Sequence, residues 1–168
     1  MPTLNVKIEP LTREAFAPYG DVIESEGAEH FSINDGAIER FHDLAKVDVG
    51  VGEEGRTLVS MVQCNRTSSL PYKVPLIERH PLGSQAFIPL DDTPVIVLVA
   101  PPGEEVAPAD LRAFVTNGKQ GINYQRAIWH MPLIALKAGQ RLIVVDRGGP
   151  GNNCEEYYFP DHEIILDY

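Results

Sequence analysis

The chain has 168 residues, enough for one domain with its own core, and 43% hydrophobic against 23% charged residues is globular rather than disordered composition. A formal net charge of −10 without any Lys/Arg cluster argues against nucleic acid as a partner, because phosphate contacts supply most of such a protein's affinity. The longest apolar run, Pro94 to Pro102, is far too short to span a bilayer, and Met1-Pro2-Thr3-Leu4-Asn5 lacks the basic stretch and apolar run of a signal peptide, so the expectation is a cytoplasmic protein with no membrane partner.

In chain order, residues 11–20 read as a short helix, with Thr12 as N-cap, Leu11 and Phe16 as a hydrophobic staple and Gly20 as the stop. A strand-like stretch follows at Asp21–Glu24, and Asn34-Asp35-Gly36 is a strong turn signal. From residue 57 the pattern is a succession of short strands. They are Thr57–Asn65, Tyr72–His80, Gln85–Leu90, Val95–Ala100, Leu111–Thr116, Asn123–His130, Leu133–Lys137, Arg141–Asp146 and Glu155–Phe159. Fourteen Pro and fourteen Gly are spread between them as turn residues. No long amphipathic helix, repeat or linker follows residue 20, so residues 1–168 read as a single domain. The fold class is mainly β, a β-barrel or jelly-roll sandwich with a short N-terminal helix. Cys64 and Cys154 are expected as reduced thiols.

Strand alternation locates the chemistry. With Tyr72–His80 taken as one strand, Glu78 and His80 share a face at the end of the apolar Tyr72/Val74/Leu76 stripe, and Arg79 points the other way. A carboxylate and an imidazole there are costly unless they pair, bind a metal or meet a ligand. Gln85, beyond the Pro81-Leu82-Gly83 turn, can reach back toward them. With Asn123–His130 as one strand, Tyr124, Arg126, Ile128 and His130 share a face, offering a carboxylate clamp and a titratable ring, while Trp129 turns toward the core. An anionic substrate on so acidic a chain needs a local arginine, and Arg126 or a mobile Arg40 can supply it. His42 reads either as catalytic or as paired with Asp43. Asp146-Arg147 reads as an ion pair bracketing the Gly148–Gly151 turn, and His30 and His162 as exposed.

The spacing Glu78-x-His80-x4-Gln85 with a later lone His130 resembles the cupin metal signature, with Glu78 and Gln85 in place of its first His and its Glu. Such a Glu/His/Gln/His set suits a divalent transition metal, and it equally suits a metal-free acid–base pair. Longer motifs are more specific. Ile33-Asn34-Asp35-Gly36 with Glu39-Arg40-Phe41-His42-Asp43-Leu44, and Glu78-Arg79-His80-Pro81-Leu82-Gly83-Ser84-Gln85-Ala86-Phe87-Ile88-Pro89, resemble the bacterial ureidoglycolate lyase family. So do Leu111-Arg112-Ala113-Phe114-Val115-Thr116-Asn117-Gly118, Asn123-Tyr124, Trp129-His130-x-Pro132-Leu133 and Asp146-Arg147-Gly148-Gly149.

That resemblance implies a cupin-like, usually homodimeric enzyme that splits (S)-ureidoglycolate into glyoxylate and urea during allantoin breakdown, with nickel or another divalent ion associated with the activity. The implied site has Glu78, His80 and His130 as catalytic groups, with Arg126, Arg40, Tyr124 and Gln85 on the substrate. A metal would fall to Glu78, His80, Gln85 and His130. Three other readings stay open. They are an amidohydrolase releasing ammonia from the same substrate, a non-catalytic cupin-like metabolite-binding module, and a sugar or keto-acid isomerase on the same barrel.

Overall fold

The computed structural model describes residues 1–52 and 54–168. The N-terminal third holds β1 (Thr3–Pro10), helix α1 (Arg13–Phe16), β2 (Gly20–Ile23) and the hairpin β3 (His30–Ile33) and β4 (Ile38–Phe41). Then follow β5 (Arg56–Gln63), β6 (Tyr72–Lys73), β7 (Ile77–Arg79), β8 (Gln85–Pro89), β9 (Ile96–Ala100) and β10 (Arg112–Val115). The last third contributes β11 (Gly121–Tyr124), β12 (Trp129–His130), β13 (Arg141–Gly148), β14 (Glu155–Tyr157) and β15 (Glu163–Asp167). The chain is thus mainly β with a short N-terminal helix, arranged as a cupin-like jelly roll of two principal sheets.

The larger sheet has eight strands in the order β14-β7-β12-β9-β10-β1-β15-β6, and the smaller has five in the order β2-β11-β8-β13-β5. β6 and β7 lie near opposite ends of the larger order, yet only residues 74–76 join them. Three residues cannot span an open sheet of that width, so the sheet curls round on itself into a half-barrel. β9, Ile-Val-Leu-Val-Ala, is buried at every position because both of its faces are covered. Ile96, Leu98 and Ala100 point into the core inside the curl, with Ile77, Trp129 and Leu166. Val97 and Val99 point into a second core between the sheets, with Phe16, Phe114, Tyr124 and Leu142.

Several expectations are corrected. The helix spans only Arg13–Phe16, because Pro18 follows at once; Thr12 does cap it, its hydroxyl accepting from Ala15 N at 3.2 Å, and Leu11 and Phe16 are buried. Tyr72–His80 is two strands, since Pro75 interrupts the ladder, and β6 pairs with β15 while β7 pairs with β12 and β14. Asn123–His130 is also two strands: β11 ends at Tyr124, Ala127 takes a left-handed φ of 65°, and the chain crosses from the small sheet to the large one. Leu133–Lys137 forms only an isolated bridge, Thr67 to Ala135. The first and last strands, β1 and β15, which pair in parallel, and the β3–β4 hairpin around Asn34-Asp35-Gly36 were not among the expected strands. The two cysteines are free thiols.

Candidate functional site

Glu78 lies opposite His130 in the antiparallel β7–β12 pair, and His130 lies opposite Val99 on β9. Residues paired across strands share a face, so Glu78 and His130 both look into the space between the sheets. From the facing sheet, Tyr124, Gln85 and Asp146 lie side by side on β11, β8 and β13. His80 sits one residue past β7, its carbonyl accepting from Ala127 N at 2.9 Å. The crossover between sheets therefore brings the two halves of the sequence pattern together.

The side chains interlock. Tyr124 stacks on His130 with ring centroids 4.2 Å apart and planes 12° apart. The His80 and His130 rings are 5.0 Å apart. Glu78 Oε1 is 3.6 Å from His130 Nε2 and 3.9 Å from His80 Nε2. His130 Nδ1 donates to the Ile128 carbonyl at 3.0 Å, which leaves Nε2 as the buried atom without a hydrogen-bond partner. His80 Nδ1 is 2.7 Å from the Asn153 carbonyl and its Nε2 is 3.0 Å from Gln85 Oε1. Gln85 Nε2 donates to Asp146 Oδ2 at 3.1 Å, which fixes the amide with its oxygen toward His80.

Charge follows from these contacts. The His130 imidazole holds the Glu78 carboxyl below the usual carboxylate range, against the opposing effect of burial. Burial pushes His130 down, with Glu78 opposing. With Nδ1 donating to the Ile128 carbonyl, His130 Nε2 either shares a proton with Glu78 Oε1, which holds that carboxyl low, or turns a lone pair on it. Two acceptors at that separation call for a cation or a shared proton between them. Burial, with Glu78 adding to it, pushes the Tyr124 phenol far up, so it remains protonated.

The donor set fits a divalent metal. One ligand atom each from Glu78, His80 and His130 lie within 4.8 Å of one another. Both histidines direct Nδ1 at backbone carbonyls, which leaves Nε2 of His130 free for a metal, while Nε2 of His80 faces Gln85 Oε1 at 3.0 Å. Glu78 and Gln85 lie in the floor of a cleft of about 740 Å³, with Tyr72, Phe87, Leu133 and the Gln63–Ser68 segment around it.

Other expected residues lie elsewhere. Arg126 is not on a shared face with His130, because the strand is broken before it. It lies in a separate cavity and grips Asp48 through Nε (3.0 Å) and Nη2 (2.9 Å). Arg40 is on the exposed β3–β4 hairpin, and His42 follows β4 with its ring 5.3 Å from Phe31. Arg79 does face away from Glu78: it pairs with Glu155 at 2.6 Å and lies over Trp129. Asp146 engages Gln85 rather than bracketing the glycine turn, while Arg147 donates to the Val49 and Pro150 carbonyls. His30 is exposed and pairs with Glu39. The sequence did not place Asp146 or Cys154 at the site. Cys154 Sγ lies 3.8 Å from Glu78 Oε2, which only the β7–β14 pairing could have revealed.

A cupin-like half-barrel with a Glu/His/His centre and a glutamine beside it at the mouth between two sheets defines the class of small-molecule enzyme site. The profile of the ureidoglycolate lyase family matches residues 3–166. A ureidoglycolate lyase of Burkholderia mallei is 55% identical over 162 residues, covering 96% of this chain and 94% of that one. One of Pseudomonas paraeruginosa is 48% identical over 163 residues, covering 96% and 95%. A dTDP sugar isomerase structure from Desulfovibrio desulfuricans aligns with a TM-score of 0.43 at 16% identity, covering 85% of this chain and 86% of that one. The chain belongs to the ureidoglycolate lyase family.

Proposed function

We propose that this chain is a carbon–nitrogen lyase that cleaves (S)-ureidoglycolate to glyoxylate and urea, within allantoin breakdown. The observation that carries this reading is the convergence of Glu78, His80 and His130, with Glu78 opening onto a cleft, in a chain of this family.

Ureidoglycolate bears a hydroxyl and a ureido nitrogen on one carbon. Removing the hydroxyl proton while protonating the nitrogen forms the aldehyde carbonyl and releases urea, with water on neither side of the equation. Glu78, held ionised at the cleft floor, is the base for the hydroxyl proton. His80, with an acceptor oxygen at each ring nitrogen, is the donor to the departing nitrogen. Each such proton transfer contributes about 10²- to 10⁴-fold. His130 positions Glu78, and Gln85, anchored by Asp146, positions His80.

Glu78, His80 and His130, with Gln85 beside them, would hold a divalent ion such as nickel. Bound there, the ion would acidify the substrate hydroxyl. Activity lost to a chelator and restored by a divalent ion assigns the trio as ligands; full activity after chelation leaves the acid–base pair.

The deciding experiment incubates the protein with each enantiomer and follows glyoxylate, urea and ammonia. Urea and glyoxylate in equal amounts from the (S) form are expected. Ammonia in place of urea means the amidohydrolase reaction, and no glyoxylate above the spontaneous rate ends the lyase reading. The protein works as a cytoplasmic homodimer. Two free thiols accord with a reducing compartment. Exposed Val59 and Met61 on the edge strand β5 accord with a partner.

A further inference from the structure

Ureidoglycolate is an anion, and the acidic side chains Glu78, in the cleft lining, and Asp146, behind Gln85, stand where it would enter. In a chain of formal net charge −10, a substrate carboxylate entering there needs a fixed cation to offset that repulsion. Among the described residues lining the cleft, Arg66 is the one Lys or Arg. The other arginines near carboxylates are already engaged: Arg13 with Glu24, Arg79 with Glu155, Arg112 with Glu9 and Arg126 with Asp48. Arg66 is exposed and forms no salt bridge with any described carboxylate, although acidic residues outnumber basic ones by 24 to 14.

The backbone around Arg66 is fastened on both sides. Cys64 N donates to the Gln140 carbonyl at 2.8 Å, and Gly139 N donates to the Cys64 carbonyl at 3.0 Å. Just beyond, Thr67 bridges Ala135, and Ser68 N donates to the Ala135 carbonyl at 2.7 Å. A pinned segment needs no backbone ordering when its arginine closes on a ligand, and the guanidinium fork matches a carboxylate in two parallel hydrogen bonds.

The geometry points to Arg66 as the residue that binds the substrate carboxylate. Arg66 and Glu78 line the same cleft, so the carboxylate end goes to the one and the carbinol end to the other. This rests on the ureidoglycolate reading above and replaces Arg126 and Arg40 in that role.

The test measures glyoxylate binding by calorimetry, and KM and kcat on (S)-ureidoglycolate, in Arg66→Gln, Arg66→Lys, Arg66→Ala, Arg126→Gln and Lys119→Gln. Arg66→Gln is expected to weaken glyoxylate binding and raise KM about 10- to 100-fold, the range for one charge-assisted contact. Arg66→Lys keeps part of the affinity, and free guanidinium restores part of it to Arg66→Ala. Lys119→Gln, which removes the same charge from an exposed position outside the cleft, leaves both measurements unchanged. Glyoxylate binding to both Arg66→Gln and Arg66→Lys as tightly as to the unaltered protein overturns the proposal, as does its loss in Arg126→Gln alone. Arg66-dependent binding of glyoxylate without any conversion of ureidoglycolate upholds this site and sinks the lyase reading instead.

Discussion

Glu78 is three-quarters hidden, with 24% of its side chain exposed, and its contact with His130 holds its carboxyl low. An ion held in such a place costs desolvation energy that a neutral isostere would not. Glu78→Gln preserves the shape and removes the charge. It is expected to lower kcat by at least about 10²-fold, the smaller end of what a positioned base supplies. Because the Glu78 carboxyl is lowered on folding, its charge contributes stability at neutral pH, so the thermal midpoint should stay level or fall slightly. Steady-state kinetics beside a melting curve checks both halves, and a near-normal kcat removes Glu78 from the chemistry. The sequence made Glu78 and His80 legible because the two-residue alternation between them survives even in the three-residue strand β7. It could not show Arg66. A lone arginine after a strand is unremarkable until the fold turns its segment into the rim of the cleft.

At the scale of elements, the long apolar runs were legible and the breaks inside them were not. Val95–Ala100 reads as a buried strand from its unbroken Val/Ile/Leu content, and β9 is one. Asn123–His130 reads equally well as one strand, yet the chain changes sheets after Tyr124. Periodicity carries no information about which sheet a strand joins, so the alternation wrongly set Arg126 beside His130. Arg126 instead clasps Asp48 and ties the segment after β4 to the β11–β12 crossover. The Arg126 guanidinium holds the Asp48 carboxyl below its ordinary value. A carboxyl lowered on folding adds stability above its unfolded pKa, near 3.8, and that contribution fades as pH falls through the lower folded value. Both partners are more than a third exposed, so the pair is worth about 0–1 kcal/mol. Arg126→Gln should therefore melt slightly lower than the unaltered chain at pH 7, with the gap closing below about pH 4. A gap that persists unchanged at pH 3 means that Arg126 stabilises through contacts other than its charge on Asp48.

For the whole molecule, the unresolved business of the fold is the outer edge of the five-stranded sheet. β5 is eight residues long and, among the described residues, pairs only with β13, so its other side presents a row of unpaired backbone groups. Long, apolar open edges invite pairing, and soluble proteins blunt them with charge, proline or a bulge. β5 has only Arg56 as a charge, at its very start, and Val59 is 72% exposed and Met61 53% exposed along it. A second copy related by a two-fold axis could lay its own β5 antiparallel alongside, which buries both residues twice in one self-complementary contact. The chain alone has a mass of 18.5 kDa, so a dimer is read directly as twice that by light scattering after size exclusion. Val59→Asp with Met61→Asp should shift the mass to the monomer, because four carboxylates would meet across the axis with no counter-ion among their β5 neighbours. Arg66 follows this strand within three residues of its end, so a monomer with weakened glyoxylate binding would mean that the edge contact also steadies the cleft rim. If the unaltered chain runs at 18.5 kDa at micromolar concentration, the open edge is tolerated in solution and the dimer is wrong.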